Sequence, residues 1–381
     1  MDYQQKSIEL HREFNGKLQI SSKIQVTNKE ELSLAYSPGV AGPCLEIAKD
    51  ESSYKELTSM SKTIAVISDG SAVLGLGNIG AKASMPVMEG KCVLMNEFAG
   101  INAMPIILDT QDTKEIIETV ANIAPSFGGI NLEDISAPRC FEIEEELKKR
   151  LSIPVFHDDQ HGTAIVTLAG IINYAKLSGK DASKLKVVVN GSGAAGVAIA
   201  KLLDTFGVED IIVCDSKGAI SKDRGDLNSM KQTLLEFTNK ENKSGSVYDV
   251  MKGTDVFVGV SVGNLLRAEH IESMNEKPAI FAMANPTPEM MPEDAKAAGV
   301  FVIGTGRSDY PNQLNNVLVF PGIFKGALEN NVSQITDEMK INAALAIAGL
   351  IGDEELTPEY IIPNAFDKRV VDAVAKVVKE E

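Results

Sequence analysis

The sequence predicts an α/β protein, a doubly wound parallel sheet preceded by a smaller α/β domain, and three observations carry that prediction. From residue 185 onward, apolar runs at 185–190, 211–215, 255–260, 279–284, 300–304 and 317–320 alternate with helix-length intervals, the pattern of strands joined by crossover helices. A second set of runs at 63–68, 72–76, 105–109 and 154–157 precedes them, with helical stretches at 113–123 and 141–151. The length, 381 residues, is more than twice a prior of ~150 residues per domain and leaves room for two cores.

These elements divide the chain near Asp159. Residues 1–158 form the first unit, 159–330 the unit with six runs, and 331–381 a set of helices packing back on the domains. The stretch 162–176, GTAIVTLAGIINYAK, reads as a helix joining the halves because its apolar residues crowd more than one face. Thr336 caps the helix after it, and a loop with Pro358 and Pro363 leads to an amphipathic last helix. Composition bounds the function. With 37 Lys+Arg against 53 Asp+Glu the net charge is −16, which argues against an extended nucleic-acid surface or a polybasic membrane anchor. Four scattered cysteines without a CxxC indicate neither a disulfide framework nor a zinc knuckle, and no stretch of 18 apolar residues occurs; a cytoplasmic protein is expected.

The pattern GxGxxG occurs at 75–80 and at 191–196. The second copy, Gly191-Ser192-Gly193-Ala194-Ala195-Gly196, follows the apolar LKVVVN and opens a helical run, and Asp215 ends the next strand nineteen residues after Gly196. That is a dinucleotide context: glycines permit a tight turn and close backbone approach, the helix N-terminus faces the pyrophosphate, and the acid takes the ribose hydroxyls. The sheet is therefore expected to be of the Rossmann type; the alternative is a glycine-rich packing turn. The first copy, with Pro86 six residues on, reads as a tight turn lining a substrate cleft. Asp215 favours NAD over NADP, since a carboxylate repels a 2′-phosphate. Lys217 opposes that preference if it clamps the phosphate, and is otherwise a solvated loop lysine.

Glu133-Asp134 and Asp158-Asp159 bracket one helix and one strand, which return the chain to the edge it left. Two acidic pairs converging there repel each other unless a divalent cation neutralises them, and all-oxygen donors suit Mg²⁺ or Mn²⁺. The alternative makes Asp159 a helix cap and the others surface acids. His157 and His161 straddle a strand end with no cysteine or third histidine nearby, so zinc is not expected. Lys91 is the one cation of MPVMEGKCVLMNEF. Burial beside a metal would lower it from ~10.4 toward ~7.5, the range of a general base, whereas an exposed helix position would leave it ordinary. Tyr36, before a Ser-Pro-Gly turn, either points into a cleft or anchors its loop.

Together these segments resemble the malic enzymes, particularly the short bacterial form. The likeness runs over nearly the whole chain: AYSPGVAGPCLEIAKD, VISDGSAVLGLGNIGAKASMPVMEGK, NLEDISAPRCFEIE, PVFHDDQHGTA, NGSGAAG, FAMANPTPE and LNNVLVFPGIFKGAL. It implies oxidative decarboxylation of (S)-malate to pyruvate and CO₂ with reduction of NAD (NADP being the alternative), dependence on Mn²⁺ or Mg²⁺, decarboxylation of oxaloacetate as a side activity, and a homodimer or higher oligomer. By motif match, Glu133, Asp134 and Asp159 correspond to the metal ligands, with Asp158 orienting the base. Lys91 matches the catalytic lysine and Tyr36 the catalytic tyrosine. Asn285, which also borders the cofactor, and Asn316 match the substrate-binding asparagines, with Asn315 adjacent. The implied chemistry has Lys91 taking the C2 hydroxyl proton, the metal steadying enolate charge, and Tyr36 protonating C3 with its proton replenished through Lys91. In short forms the segment bearing the tyrosine is a candidate to complete a partner's site.

One departure stands out. Larger members carry an arginine in the segment aligned with Asp69-Gly70-Ser71-Ala72-Val73, and this chain has none there. The substrate carboxylate is expected to meet backbone amides near 37–39, a helix N-terminus or another cation. Three rival readings remain. A metal-independent amino-acid dehydrogenase shares the lysine and cofactor domain but gives Glu133, Asp134 and Asp159 no joint role. A catalytically dead nucleotide-binding regulator would have lost some of these groups, and none is lost. Redox-neutral malolactic chemistry is the alternative that the sequence leaves open.

Overall fold

The computed structural model describes residues 3–73 and 75–380. An amino-terminal arm carries α1 (Tyr3–Phe14), α2 (Lys29–Ala35), α3 (Ala41–Lys49) and α4 (Tyr54–Leu57), none of which contains a buried residue. The first α/β unit follows as β1 (Thr63–Ser68), α5 (Ala81–Ala99), β2 (Asn102–Ile107), α6 (Thr113–Ile123), β3 (Gly129–Leu132), α7 (Arg139–Arg150) and β4 (Val155–His157). Its four strands are parallel in the order β2-β1-β3-β4. Two expectations are corrected here. The run 72–76 is no strand: Val73 bridges back to Gly77, and Gly75 and Gly77 at positive φ turn the chain on itself; Leu74 lies outside the described residues. The missing strand is β3, whose four residues GINL are buried throughout. Its length and its glycine at the start hide it in the sequence.

Helix α8 (Asp158–Ser178) leads into the second unit. That unit contains β5 (Lys186–Asn190), α9 (Ala194–Phe206), β6 (Asp210–Asp215), β7 (Gly218–Ala219), α10 (Ser229–Leu234), α11 (Val247–Val250), β8 (Val256–Gly259), α12 (Ala268–Ile271), β9 (Ala279–Ala282), α13 (Pro292–Ala297) and β10 (Val302–Thr305). The sheet order is β10-β9-β8-β5-β6-β7, a doubly wound arrangement whose winding reverses between β5 and β8. The run 317–320 does not supply the sixth strand. Asn315 caps a 3₁₀ turn at Asn316–Leu318 and α14 (Phe320–Glu329) follows at once, with Pro321 in its first turn. The sixth strand is β7, two residues pairing antiparallel at the edge.

Thr336 accepts from the Met339 amide and so caps α15 (Asp337–Ala348), as expected. Helix α15 packs on α8 and on α16 (Arg369–Val377), which in turn packs on α14, and one core runs from Ile64 and Met88 of the first unit to Val187 and Phe281 of the second. Helix α8 begins at Asp158, four residues before the expected start, and is buried on all faces beyond its first turn, which is why its sequence shows no amphipathic stripe. Among the described residues no helix is long and apolar enough to cross a membrane. In the middle of α8, Asn173 Nδ2 donates to the Ala348 and Ile361 carbonyls at 3.0 Å each, tying the helix to the carboxy-terminal segment. Asn173→Ala leaves both buried carbonyls short of a donor, at about 1–3 kcal/mol apiece. The urea midpoint is expected to fall accordingly; an unshifted midpoint would show that the two segments do not depend on this residue.

Candidate active site

In open α/β sheets, ligands bind beyond the carboxyl ends of the strands where the winding reverses. Here two such edges face each other. The first sheet ends at Ser68, Leu132 and His157, which puts Asp69, Glu133 and Asp158 at one rim, while β5, β8 and β9 end opposite at Asn190, Gly259 and Ala282. Between them lies a cleft of about 830 Å³, lined on one side by Lys91, Glu133, Asp134 and Asp159 and on the other by Gly193, Ala194, Ala195, Asn285, Asn315 and Asn316. Gly75 lines it too, as expected of the first glycine pattern.

Lys91 comes from the middle of α5 and is not the exposed lysine of the alternative reading. Its side chain is 11% exposed, with Nζ 3.1 Å from Glu133 Oε1 and 2.5 Å from Asp158 Oδ2, and it sits 4.6 Å above the Phe320 ring. Burial alone would lower its proton affinity, but Asp158, Glu133 and Asp159 outweigh burial and hold it above the ordinary lysine value. The expected depression is thus not produced by the protein's own groups. It requires positive charge among those carboxylates.

The acids show the same deficit. Burial pushes Glu133 well above the usual carboxylate range, with Lys91 opposing and Asp158, Asp159 and Asp134 adding to it. Asp158 is pushed up to about 6, again by burial against the pull of Lys91. Glu133, Asp134 and Asp159 each offer an oxygen within 4.8 Å of the others', and Glu133 Oε2 is buried with no hydrogen-bond partner. Three convergent oxygens, an orphaned lone pair and excess negative charge fit a hard divalent cation. His157 and His161 do not join them. His161 Nε2 turns to Glu144 at 2.8 Å, burial brings it down to about 4, and His157 lies fully buried behind Asp159, its Nδ1 3.8 Å from Oδ2.

Local structure explains the placement. A Cβ on Gly162, one turn into α8, would collide with Asp158 Oδ1 and lie 2.9 Å from Asn316 Cβ, so glycine there lets the Asp158 carboxylate reach Lys91. In the dinucleotide turn a Cβ on Gly196 would strike the Gly191 carbonyl. This close approach folds Gly191 and Ser192 back over α9, whose N-cap is Gly193. Asp215 ends β6 as expected, but its carboxylate is already engaged: Arg224 donates from Nη1 and Nη2 at 2.8 and 2.9 Å and Lys231 from Nζ at 2.5 Å. Burial would raise Asp215, yet these donors bring it down to about 2. Lys217 turns to Asp226 at 2.6 Å.

Tyr36 is the candidate that the fold does not bring in. It is the C-cap of α2, 69% exposed, and not among the residues lining the cleft. Conversely, sequence reasoning missed Lys17 and His11, which line the cleft from the arm, and Arg139. The segment without an arginine receives one from α7: Arg139 Nη1 is 2.9 Å from Asp69 Oδ2, and Nη2 bonds Ser71 Oγ at 3.0 Å. The empty place in 69–73 was a signal that another cation had to reach this loop.

Comparison with known proteins identifies the family. Residues 15–148 match the family described as malic enzyme, N-terminal domain, and 160–380 match malic enzyme, NAD binding domain. The chain is 56% identical over 379 residues to the bifunctional malic/malolactic enzyme of Bacillus subtilis, covering 99% of this chain and 92% of that protein. It is 47% identical to the NADP-dependent malic enzyme of Escherichia coli over 95% of this chain and 50% of that one. The crystal structure of the NAD-dependent malic enzyme from Thermotoga maritima superposes with a TM-score of 0.95 at 48% identity, over 98% of both chains. The acidic cluster yields a direct expectation. Titration with Mn²⁺ followed by electron paramagnetic resonance gives one ion per chain, and Asp159→Asn weakens it by more than about 100-fold, beyond what loss of an outer partner costs. Equal affinity in the variant would remove Asp159 from the ligand set.

Proposed function

Because the chain belongs to the malic enzyme family, we propose that it oxidatively decarboxylates (S)-malate to pyruvate and CO₂ with NAD or NADP, and that it also accepts oxaloacetate for decarboxylation. One observation carries this reading: Lys91, the three acids, the three asparagines and the dinucleotide turn share one cleft. Glu133, Asp134 and Asp159 would hold Mn²⁺ or Mg²⁺. When bound, the cation would supply positive charge for the substrate's C2 oxygen and the nicotinamide a hydride acceptor. With the cation's charge offsetting the carboxylates, Lys91 as the neutral amine takes the proton from the C2 hydroxyl and becomes the ammonium, and Asp158 orients its nitrogen. Asn285, Asn315 and Asn316 present amide donors and acceptors that orient the carboxylates.

Cofactor choice rests on the end of β6. A free Asp215 would repel a 2′-phosphate, but Arg224 and Lys231 satisfy this carboxylate. Three cations, Lys217, Arg224 and Lys231, stand there against two acids, Asp215 and Asp226. That balance supports use of both cofactors, where the sequence alone favoured NAD. The proton for C3 is assigned to Tyr36 of a second copy. Fourteen of the twenty exposed large apolar side chains among the described residues precede residue 58, and an arm this apolar is an interface in search of a partner. A homodimer buries it and brings Tyr36 to the partner's cleft.

A redox-neutral reaction releasing lactate is the second reading, favoured by the name of the Bacillus subtilis relative. Purified protein given L-malate, Mn²⁺ and either cofactor is expected to form pyruvate and reduced cofactor in equal amounts and to stop in excess EDTA. Lactate without net reduced cofactor would decide for the second reading, and full activity in EDTA would rule out the cation. Site sharing is checked by complementation. Equal parts of Tyr36→Phe and Lys91→Ala chains, each inactive alone, should recover about a quarter of the wild-type sites after subunit exchange. No recovery would place Tyr36 in its own chain's chemistry.

A further inference from the structure

A dicarboxylate needs a cation at each end. The acidic cluster provides for one end; Arg139, which fills the place left in segment 69–73, is tied to Asp69 and Ser71 and does not line the cleft, so the other end lacks an assigned cation. Among the described residues lining the cleft, the cationic side chains besides the imidazole of His11 are Lys91 and Lys17. Lys91 is enclosed by Glu133 and Asp158. Lys17 is differently placed: its Nζ donates to the Pro86 carbonyl at 2.6 Å, and among the described residues it forms no salt bridge. An ammonium carries three N–H donors, so two remain for a ligand.

The turn that presents Lys17 is purpose-shaped. Gly16 donates to the His11 carbonyl at 3.0 Å and closes α1, with Asn15 and Gly16 both left-handed at φ 53° and 103°. The Lys17 amide then donates to Glu89 Oε2 at 3.0 Å. A Cβ on Gly16 would lie 2.8 Å from the other oxygen of Glu89, so both conformation and space call for glycine. The Lys17 side chain runs along α5 over Gly90, where a Cβ would meet Nζ at 3.4 Å. Pro86, Gly90 and Lys91 line the same wall of the cleft. Pro86 and Lys91 are five positions apart on α5, an axial rise of about 7.5 Å. Beside Lys17, His11 Nδ1 contacts the Ser7 carbonyl at 2.7 Å while Nε2 is buried without a partner.

We propose that Lys17 is the residue that binds the carboxylate of the substrate farther from the acidic cluster, C4 of malate, and so distinguishes a dicarboxylic from a monocarboxylic 2-hydroxy acid. The assignment rests on the malate reading above, and its test is separable from that reading. L-Lactate is malate without the C4 carboxylate. Calorimetric titration of each acid into the chain saturated with Mn²⁺ and NADH reads binding without turnover. In Lys17→Met, the Kd for L-malate is expected to rise about 10- to 100-fold, the range for a hydrogen bond to a charged group, while that for L-lactate changes less than about twofold. Lys17→Arg should recover most of the loss, and the affinity for NADH should stay as in wild type in both variants. Equal weakening of the two acids, or no weakening of malate, overturns the assignment; Lys17→Gln repeats the measurement should Lys17→Met fold poorly. A chain that binds malate through Lys17 but releases neither pyruvate nor lactate fails the proposed reaction and keeps this site. Pyruvate release with an unchanged malate Kd in Lys17→Met does the reverse.

Discussion

Glu133 and Asp158, buried and paired with one buried ammonium beside Asp134 and the partly exposed Asp159, form the constraint on which the rest of this structure depends. Each buried ion costs several kcal/mol in lost hydration, and a partner repays that only with good geometry. Lys91 can offset one of the four charges. The protein's response to the remainder is visible in Glu133 and Asp158, both displaced toward the protonated form, and in a lysine held above its ordinary value. A site in this condition stores affinity for a hard cation, because one divalent ion removes repulsion among all four acids at once. It also couples the metal to the base, since the charge that raises Lys91 is the charge that the cation would cancel.

Such a cluster survives only if the backbone holds it against its own repulsion. Two parallel sheets do this by sending their carboxyl ends toward each other, so that the acids after β3 and β4 and the turn after β5 face one another across one cleft. Helix α8 makes the arrangement rigid. Its first turn supplies Asp158 and Asp159, and its remaining length is the apolar axis on which both sheets and the carboxy-terminal helices pack. Displacing those acids would therefore disturb the centre of the common core. That coupling accounts for Gly162, whose missing side chain is the space that the Asp158 carboxylate occupies.

What was legible in the sequence follows from how local each signal is. The dinucleotide turn was readable because strand, glycines, helix and acid lie within one stretch, and the acidic pairs were readable because a helix and a strand return the chain to its starting edge. The burial of Lys91 was not, since it depends on Glu133 and on Asp158, the latter 67 residues away. The strand β3 escaped because four buried residues beginning with glycine resemble a loop. Residues 317–320 misled for the opposite reason: an apolar run reads equally as a strand or as a buried helix start, and the cap at Asn315 decided it. Asp215 was correctly placed at a strand end, but its role depended on Arg224 and Lys231, which arrive from a loop and a short helix with no periodicity of their own. Lys17 was hidden because its meaning lies wholly in contacts with Pro86 and Glu89, some 70 residues on.

The net charge of −16 then reads as two different things. Surface acids farther from the cleft than a screening length of about 8 Å at physiological ionic strength contribute little to what happens inside it. Within the cleft the balance is local. At one end a divalent cation held by three acids would offset two of their three charges; at the other, Lys17 stands over α5 with donors to spare. The leaving carboxylate is the one assigned to Lys17, and this limits how strong that contact can usefully be. Binding energy that persists only in the ground state lowers KM without speeding the chemistry, and a bidentate arginine at C4 would hold the group that must depart as CO₂. A single lysine, already sharing its ammonium with a backbone carbonyl, would grip the diacid well enough to select it and weakly enough to release it.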